Sequence, residues 1–358
     1  MMNSSRSRIL HCMHAEKFID PFIDFMERNF PTTDHEYLIR EVPGYKVKAR
    51  PSVTLFPRRT SSLRRIFIYI KAMNRAEKIF LHSIIHRGLM LLLFLQPWLM
   101  RKTFLLMWGN ELYYHLRRVE GWKGGVQQYL LSWIIRKAAV LVTFLDEDYN
   151  KAVTWFGAQG RYGRCILYPS NLCPEMAGKE TTDSALLTLL IGNSATATNR
   201  HAEIFLDIQK VWLPGTKIYC PLSYGDVEYG DRIEALGKDM FGSDFLPLRK
   251  FMPLQAYNKI LNSVDTVIFG HNRAQAMGNL VSLLAMRKKI YLNPETSQWA
   301  LMRSLGITVY DVNDLSDINS RDEKILSKNS ELVRSYFSEK NLAEQYRELF
   351  SIDDHREL

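Results

Sequence analysis

Short apolar runs recur along the whole chain, separated by stretches long enough to form a helix, and this rhythm points to parallel sheets covered by helices. In the first half the runs fall at 9–13, 37–42, 53–56, 78–84, 103–108 and 140–144. In the second they fall at 186–191, 217–220, 264–269 and 289–292, with helices beginning near Asn199, Val227, Ala276 and Ser297. After Asn199, residues Phe205, Ile208 and Trp212 share one helical face and read as core, whereas Glu203 and Lys210 lie away from it. Between the halves, Pro169, Asn171, Pro174 and Gly178 break the pattern as a hinge does. A chain of 358 residues exceeds what one core usually organises. The expectation is two doubly wound α/β domains over residues 1–170 and 171–315. A charged, helix-prone tail over 316–358 returns to the first domain as a clasp.

The charge is uneven. Residues 1–170 carry 26 basic and 13 acidic side chains, net +13, against 21 and 25 in the remainder, net −4. A basic first half suits an anionic partner: lipid headgroups, polyphosphates or nucleic acid. Basic pairs stand at Arg58-Arg59, Arg64-Arg65, Arg101-Lys102 and Arg117-Arg118. The apolar run 89–95 falls short of the roughly 20 residues needed to span a bilayer, so it reads as a surface-touching segment or a core helix. Arg6 and Arg8 lead straight into a short apolar run and then Glu16-Lys17, which is no signal peptide, so a cytoplasmic location is expected. Cys12, Cys165, Cys173 and Cys220 lack metal-ligand or disulfide-framework spacing and read as reduced thiols.

Two strand-to-helix turns in the second half carry polar sites. The first is Gly192-Asn193-Ser194, followed by Asn199 and His201. A small-residue turn there lets backbone N–H groups approach a phosphate, although a plain turn with a helix cap explains the same residues. The second, 269–279, contains Arg273, Gln275, Gly278 and Asn279 before an apolar helix, and Arg273 is suited to pairing with a phosphate. Between them the run 217–220 leads into a turn containing Tyr224, available to a base or sugar or simply packed.

In this ordered succession, with His82 after an apolar strand, Trp108-Gly109 followed by Glu111, Leu112 and Tyr113, and further matches at Asn293 and Trp299, the chain resembles a known family. It is similar to the bacterial TDP-N-acetylfucosamine:lipid-linked-saccharide N-acetylfucosaminyltransferases of glycosyltransferase family 56, 4-alpha-L-fucosyltransferase-like, which complete the lipid-linked repeat of enterobacterial common antigen. The resemblance runs from about residue 78 to 315. It departs at Asn110, where a small residue is expected, at Glu111, where the family acid is commonly Asp, and in the N-terminal strand and loop.

The resemblance implies the GT-B fold, two Rossmann-like domains facing across a cleft. It also implies a TDP-sugar donor held by the second domain and a polyprenyl-diphosphate-linked saccharide acceptor near the first, on the cytoplasmic face of the bacterial inner membrane. The nucleotide sugar is a cosubstrate, and no separate cofactor or metal is expected. The leaving diphosphate meets Arg273 and the Gly192 loop, and Glu111, with His82 second, is the candidate base. Donor contacts are expected from Gly192, Asn193, Ser194, Asn199, His201, Tyr224, Arg273, Gln275, Gly278 and Asn279. Asp146-Glu147-Asp148 has the Asp-x-Asp form of metal-dependent glycosyltransferases, yet it also reads as the acidic first turn of a helix. Two other readings stand beside the enzyme: a basic nucleic-acid-binding protein, for which no recognised motif accompanies the charge, and a catalytically inactive GT-B scaffold.

Overall fold

The computed structural model describes residues 8–57, 60–83, 87–113, 121–174 and 187–353. The chain forms two compact units, Met1–Asn171 with Glu339–Leu358, and Leu172–Ser338. Arg58-Arg59, Arg117-Arg118, Gly178 and the first residue of the run at 186 lie outside the described residues.

The first unit contains β1 (Ile9–His14), α1 (Ile19–Asn29), β2 (His35–Arg40), β3 (Val53–Phe56), α2 (Ser62–Arg75), β4 (Lys78–His82), α3 (Arg87–Leu95), β5 (Thr103–Leu106), α4 (Asn110–Tyr113), α5 (Gly121–Lys137), β6 (Val140–Thr143), α6 (Asp146–Phe156) and β7 (Arg161–Arg164). Its sheet is parallel throughout, in the order β3-β2-β1-β4-β5-β6-β7. The order reverses between β1 and β4, and in open α/β sheets the crevice outside the strands' carboxyl ends at such a point is where ligands bind.

The second unit contains β8 (Thr188–Ile191), α7 (His201–Gln209), β9 (Lys217–Pro221), α8 (Val227–Phe241), β10 (Phe245–Leu248), α9 (Leu254–Ser263), β11 (Thr266–Phe269), α10 (Met277–Ala285), β12 (Lys289–Leu292), α11 (Ser297–Ser304), β13 (Tyr310–Asp311) and α12 (Glu323–Tyr336). Its sheet, β10-β9-β8-β11-β12-β13, is also all parallel and reverses between β8 and β11.

Central strands such as β5 and β6 are buried at every position, as parallel strands covered on both faces must be. In the run 89–95, Leu89, Met90, Leu92 and Leu93 join the core of the first unit while Leu91 and Leu95 are exposed, so most of it is a core helix. The Asp146-Glu147-Asp148 triplet opens α6, which ends at Gly157 in the left-handed conformation (φ 64°). Asp146 is held by Arg164 and by the Tyr162 hydroxyl.

The tail divides. α12 docks on the second unit, where Ser330 Oγ donates to the Ala285 carbonyl (2.8 Å). The last helix, α13 (Glu339–Ser351), belongs to the first unit. There Tyr346 donates to the Leu167 carbonyl (2.8 Å), and Gln345 Oε1 accepts from the Ile166 N–H (2.8 Å).

Several elements differ from the sequence pattern. The edge strands β7, β10 and β13 were not expected, and α7 stops at Gln209, leaving Trp212 outside the helix though still packed on the same core. Among the described residues no helix is long and apolar enough to cross a membrane.

Candidate active-site groups

The two strand-end loops flanking the reversal point of the second sheet are joined through Gln275. Its Nε2 donates to Asn193 Oδ1 (2.8 Å) and Asn199 Oδ1 (3.2 Å), and its Oε1 accepts from Thr198 Oγ1 (3.1 Å). Asn199 is fully buried; it donates to the Ser194 carbonyl (3.0 Å) and accepts from the Asn193 N–H (3.3 Å), which fixes the turn after β8. Asn193 Nδ2 donates to the Tyr224 hydroxyl (2.9 Å), which brings in the loop after β9. The exposed Arg273 donates from Nε to Gln275 Oε1 (3.3 Å).

Gly192 is demanded by geometry. Its φ is +68°, and a Cβ there would sit 2.3 Å from His201 Nε2. His201 lies beneath the loop, with Nδ1 3.0 Å from the Tyr229 hydroxyl and Nε2 buried without a partner. Burial lowers its pKa to about 4, so the ring is neutral. His201 therefore supports the turn from below.

Sequence pattern did not reveal Gln298. It is buried on α11, accepts from His271 Nε2 (2.7 Å) and donates to the Gln275 carbonyl (2.7 Å), locking the loop after β11. A polar side chain in the first turn of a helix was the only signal in the sequence, and its partners come from another loop. Asn279 is placed by a long contact to the Tyr257 hydroxyl (3.5 Å), and Gly278 is exposed in the first turn of α10. Asn293 and Trp299 are not among the residues bonded to Gln275: Asn293 Oδ1 accepts from the Glu295 N–H, and the Trp299 N–H is capped by Thr296.

In the first unit, Glu111 follows β5 on the short α4 and is 3 % exposed. Its Oε2 accepts from the Trp108 N–H (3.1 Å), while Oε1 has no hydrogen-bond partner. Burial raises its pKa; Ser83 and backbone N–H groups oppose the rise, and Asp148 adds to it. Asp148, beside Gly109, is itself pushed up to about 6 by burial. Such a carboxylate pair suits proton transfer.

His82, the second candidate base, ends β4. It is fully buried with both ring nitrogens engaged, Nδ1 with the Tyr168 hydroxyl (2.7 Å) and Nε2 with His11 Nδ1 (3.0 Å), and His11 Nε2 meets His35 Nδ1 (3.0 Å). Burial lowers His82 to about 3 and His35 to about 4, and holds His11 well below the ordinary imidazole range. Both ring nitrogens of His82 are thus taken up by protein partners.

Comparison with solved structures shows the GT-B fold. A glycosyltransferase from Rickettsia africae superposes with a TM-score of 0.60 at 11 % identity, over 97 % of this chain and 98 % of that one. The E. coli trehalose-6-phosphate protein bound with UDP-2-fluoro glucose gives 0.59 at 10 %, over 96 % and 98 %. Sucrose-phosphate synthase from Thermosynechococcus elongatus gives 0.57 at 12 %, over 96 % and 99 %. The sequence model of one glycosyltransferase family matches residues 7–353, and the chain accordingly belongs to the family described as 4-alpha-L-fucosyltransferase glycosyl transferase group 56.

Proposed function

We propose that this glycosyltransferase moves a deoxy-amino sugar, N-acetylfucosamine or a close relative, from a TDP-type donor to a polyprenyl-diphosphate-linked saccharide in cell-surface polysaccharide synthesis. The observation that carries the donor half is the Gln275 bridge at the reversal point of the second sheet. It holds the turn after β8 to the loop that leads into α10, with Arg273 alongside. Backbone N–H groups and a guanidinium are what a departing diphosphate requires.

In the proposed reaction the donor's anomeric C–O bond breaks and its electron pair leaves on the diphosphate, where Arg273 and the loop N–H groups stabilise it without a metal. The acceptor hydroxyl oxygen forms the new bond to the anomeric carbon. In an inverting transfer its proton passes to Glu111, whose buried Oε1 carries no hydrogen-bond partner. The basic first half of the chain supports work at the anionic inner face of the bacterial membrane.

Calorimetric titration with TDP, UDP and GDP tests the donor half. Wild type should bind TDP, and Gln275→Ala should weaken it by about tenfold or more, the loss of one charge-assisted or buried contact. Binding untouched by Gln275→Ala moves the donor elsewhere. A salt-dependent RNA shift with no nucleotide binding favours the nucleic-acid reading instead.

A further inference from the structure

Leu167 holds a left-handed backbone (φ +74°) although it carries a bulky side chain and is buried. A residue of that kind is strained there, and such strain persists only where the surrounding structure over-determines it. The Leu167 N–H donates to Cys165 Sγ (3.3 Å), and its carbonyl accepts from the Tyr346 hydroxyl (2.8 Å). Just before it, the Ile166 N–H donates to Gln345 Oε1 (2.8 Å), and the Ile166 carbonyl accepts from Asn171 Nδ2 (2.8 Å). Gln345 and Tyr346 are buried on α13, the helix with which the chain returns to the first unit. A helix that only covers a sheet needs an apolar stripe; it does not need two neighbouring polar side chains aimed at one strained turn.

The strained residue sets the direction of the next side chain. Tyr168 is buried, and its hydroxyl lies between Trp108 Nε1 (3.1 Å), which donates to it, and His82 Nδ1 (2.7 Å). Phe18 packs on both rings, with centroids 4.5 Å from Tyr168 and 5.1 Å from Trp108, edge-on to the indole. Trp108 is therefore fixed at its ring, while its backbone N–H donates to Glu111 Oε2 (3.1 Å). Gly109, at φ +88°, turns the chain between the two. A continuous path of contacts within the first unit thus runs from α13 through Leu167, Tyr168 and Trp108 to the Glu111 carboxylate.

We propose that Tyr346 and Gln345 are positioning residues for the transfer: by holding Leu167 left-handed they aim Tyr168 at Trp108, and Trp108 sets the orientation in which Glu111 meets the acceptor hydroxyl. Neither residue touches substrate. The proposal rests on the reading of Glu111 as the base, and the experiment separates the two.

The test uses the full chain carrying isotope-labelled tryptophan, with the Trp108 indole N–H resonance assigned by its loss in Trp108→Phe. Tyr346→Phe, which removes only a hydroxyl, should move that resonance and speed its exchange with water, as Tyr168→Phe does directly. Gln345→Met should act in the same direction. Ser330→Ala, which deletes a hydrogen bond between α12 and Ala285 in the second unit, should leave the resonance in place. With TDP-N-acetylfucosamine and a polyprenyl-diphosphate saccharide, Tyr346→Phe should lower kcat by about 10- to 100-fold at an unchanged KM for the donor, with urea unfolding confirming the fold. A Trp108 resonance unmoved by both α13 variants, an equal shift in Ser330→Ala, or wild-type kcat in Tyr346→Phe overturns the proposal. Wild-type turnover in Glu111→Gln overturns the base assignment instead, and the Trp108 resonance then still decides whether α13 sets this loop.

Discussion

Trp108 sets the direction of the buried chain of rings in the first unit. An indole N–H can only donate, so Tyr168 accepts from it (3.1 Å) and turns its own hydrogen to His82 Nδ1. His82 then donates from Nε2 to His11, and His11 from Nε2 to His35, which keeps all three imidazoles neutral. Their folded pKa values lie below the ordinary 6.5, so the unfolded chain binds more protons in acid. The stability they contribute is fully present above about pH 6.5 and is lost as pH falls towards 4 and below. Thermal unfolding followed from pH 7.5 to 4.5 should show a melting temperature that falls steeply below that point, and a flat profile contradicts the neutral chain. Tyr168→Phe removes the central hydroxyl and leaves the buried His82 Nδ1 and the part-buried Trp108 Nε1 without it, for an expected loss of about 1–3 kcal/mol in urea unfolding. At Glu111 the expectation is catalytic. Glu111→Gln should reduce kcat by about 10²- to 10⁴-fold with nucleotide binding retained, and near-wild-type turnover would shift attention to Asp148.

At the scale of elements, the turn after β8 and the start of α10 make opposite demands of their glycines. Gly192 has a left-handed φ and the His201 ring at 2.3 Å from a would-be Cβ, whereas a Cβ at Gly278 meets nothing within 4 Å. Gly192→Ala should therefore destabilise the protein by about 1–3 kcal/mol, and Gly278→Ala should not lower stability. Paired denaturation curves check this, and wild-type stability in Gly192→Ala contradicts the geometry. Both turns were legible in the sequence because an apolar run ends abruptly in Gly and polar residues. The missed edge strands gave no such signal: β7 has arginine at both ends, β10 contains Pro247, and β13 has two residues. The meeting of His35, His11 and His82 was also hidden. It depends on β2 and β4 flanking β1, a property of strand order that local pattern does not carry.

For the whole molecule, the two parallel sheets, of seven and six strands, reverse their order in the same way, and at the reversal point of the second the amides of Gln275, Asn193 and Asn199 are hydrogen-bonded together. Because the proposed leaving-group stabilisation uses Arg273 and backbone N–H groups, transfer should persist in excess EDTA; complete loss restored only by magnesium or manganese would require a metal step. Arg273→Ala should cost about 2–4 kcal/mol of transition-state stabilisation, roughly 30- to 1000-fold in kcat/KM. The same variant should change folding stability by less than about 0.5 kcal/mol. Parallel kinetics and unfolding measure the contrast, and equal losses in both would make Arg273 structural. The most direct test of the central claim is mass spectrometry of products from TDP-, UDP- and GDP-sugars offered with polyprenyl-diphosphate saccharides. The account predicts an acceptor heavier by one deoxy-amino sugar with a TDP donor; nucleotide-sugar binding without a product from any acceptor pair would contradict it and leave a catalytically inactive GT-B scaffold.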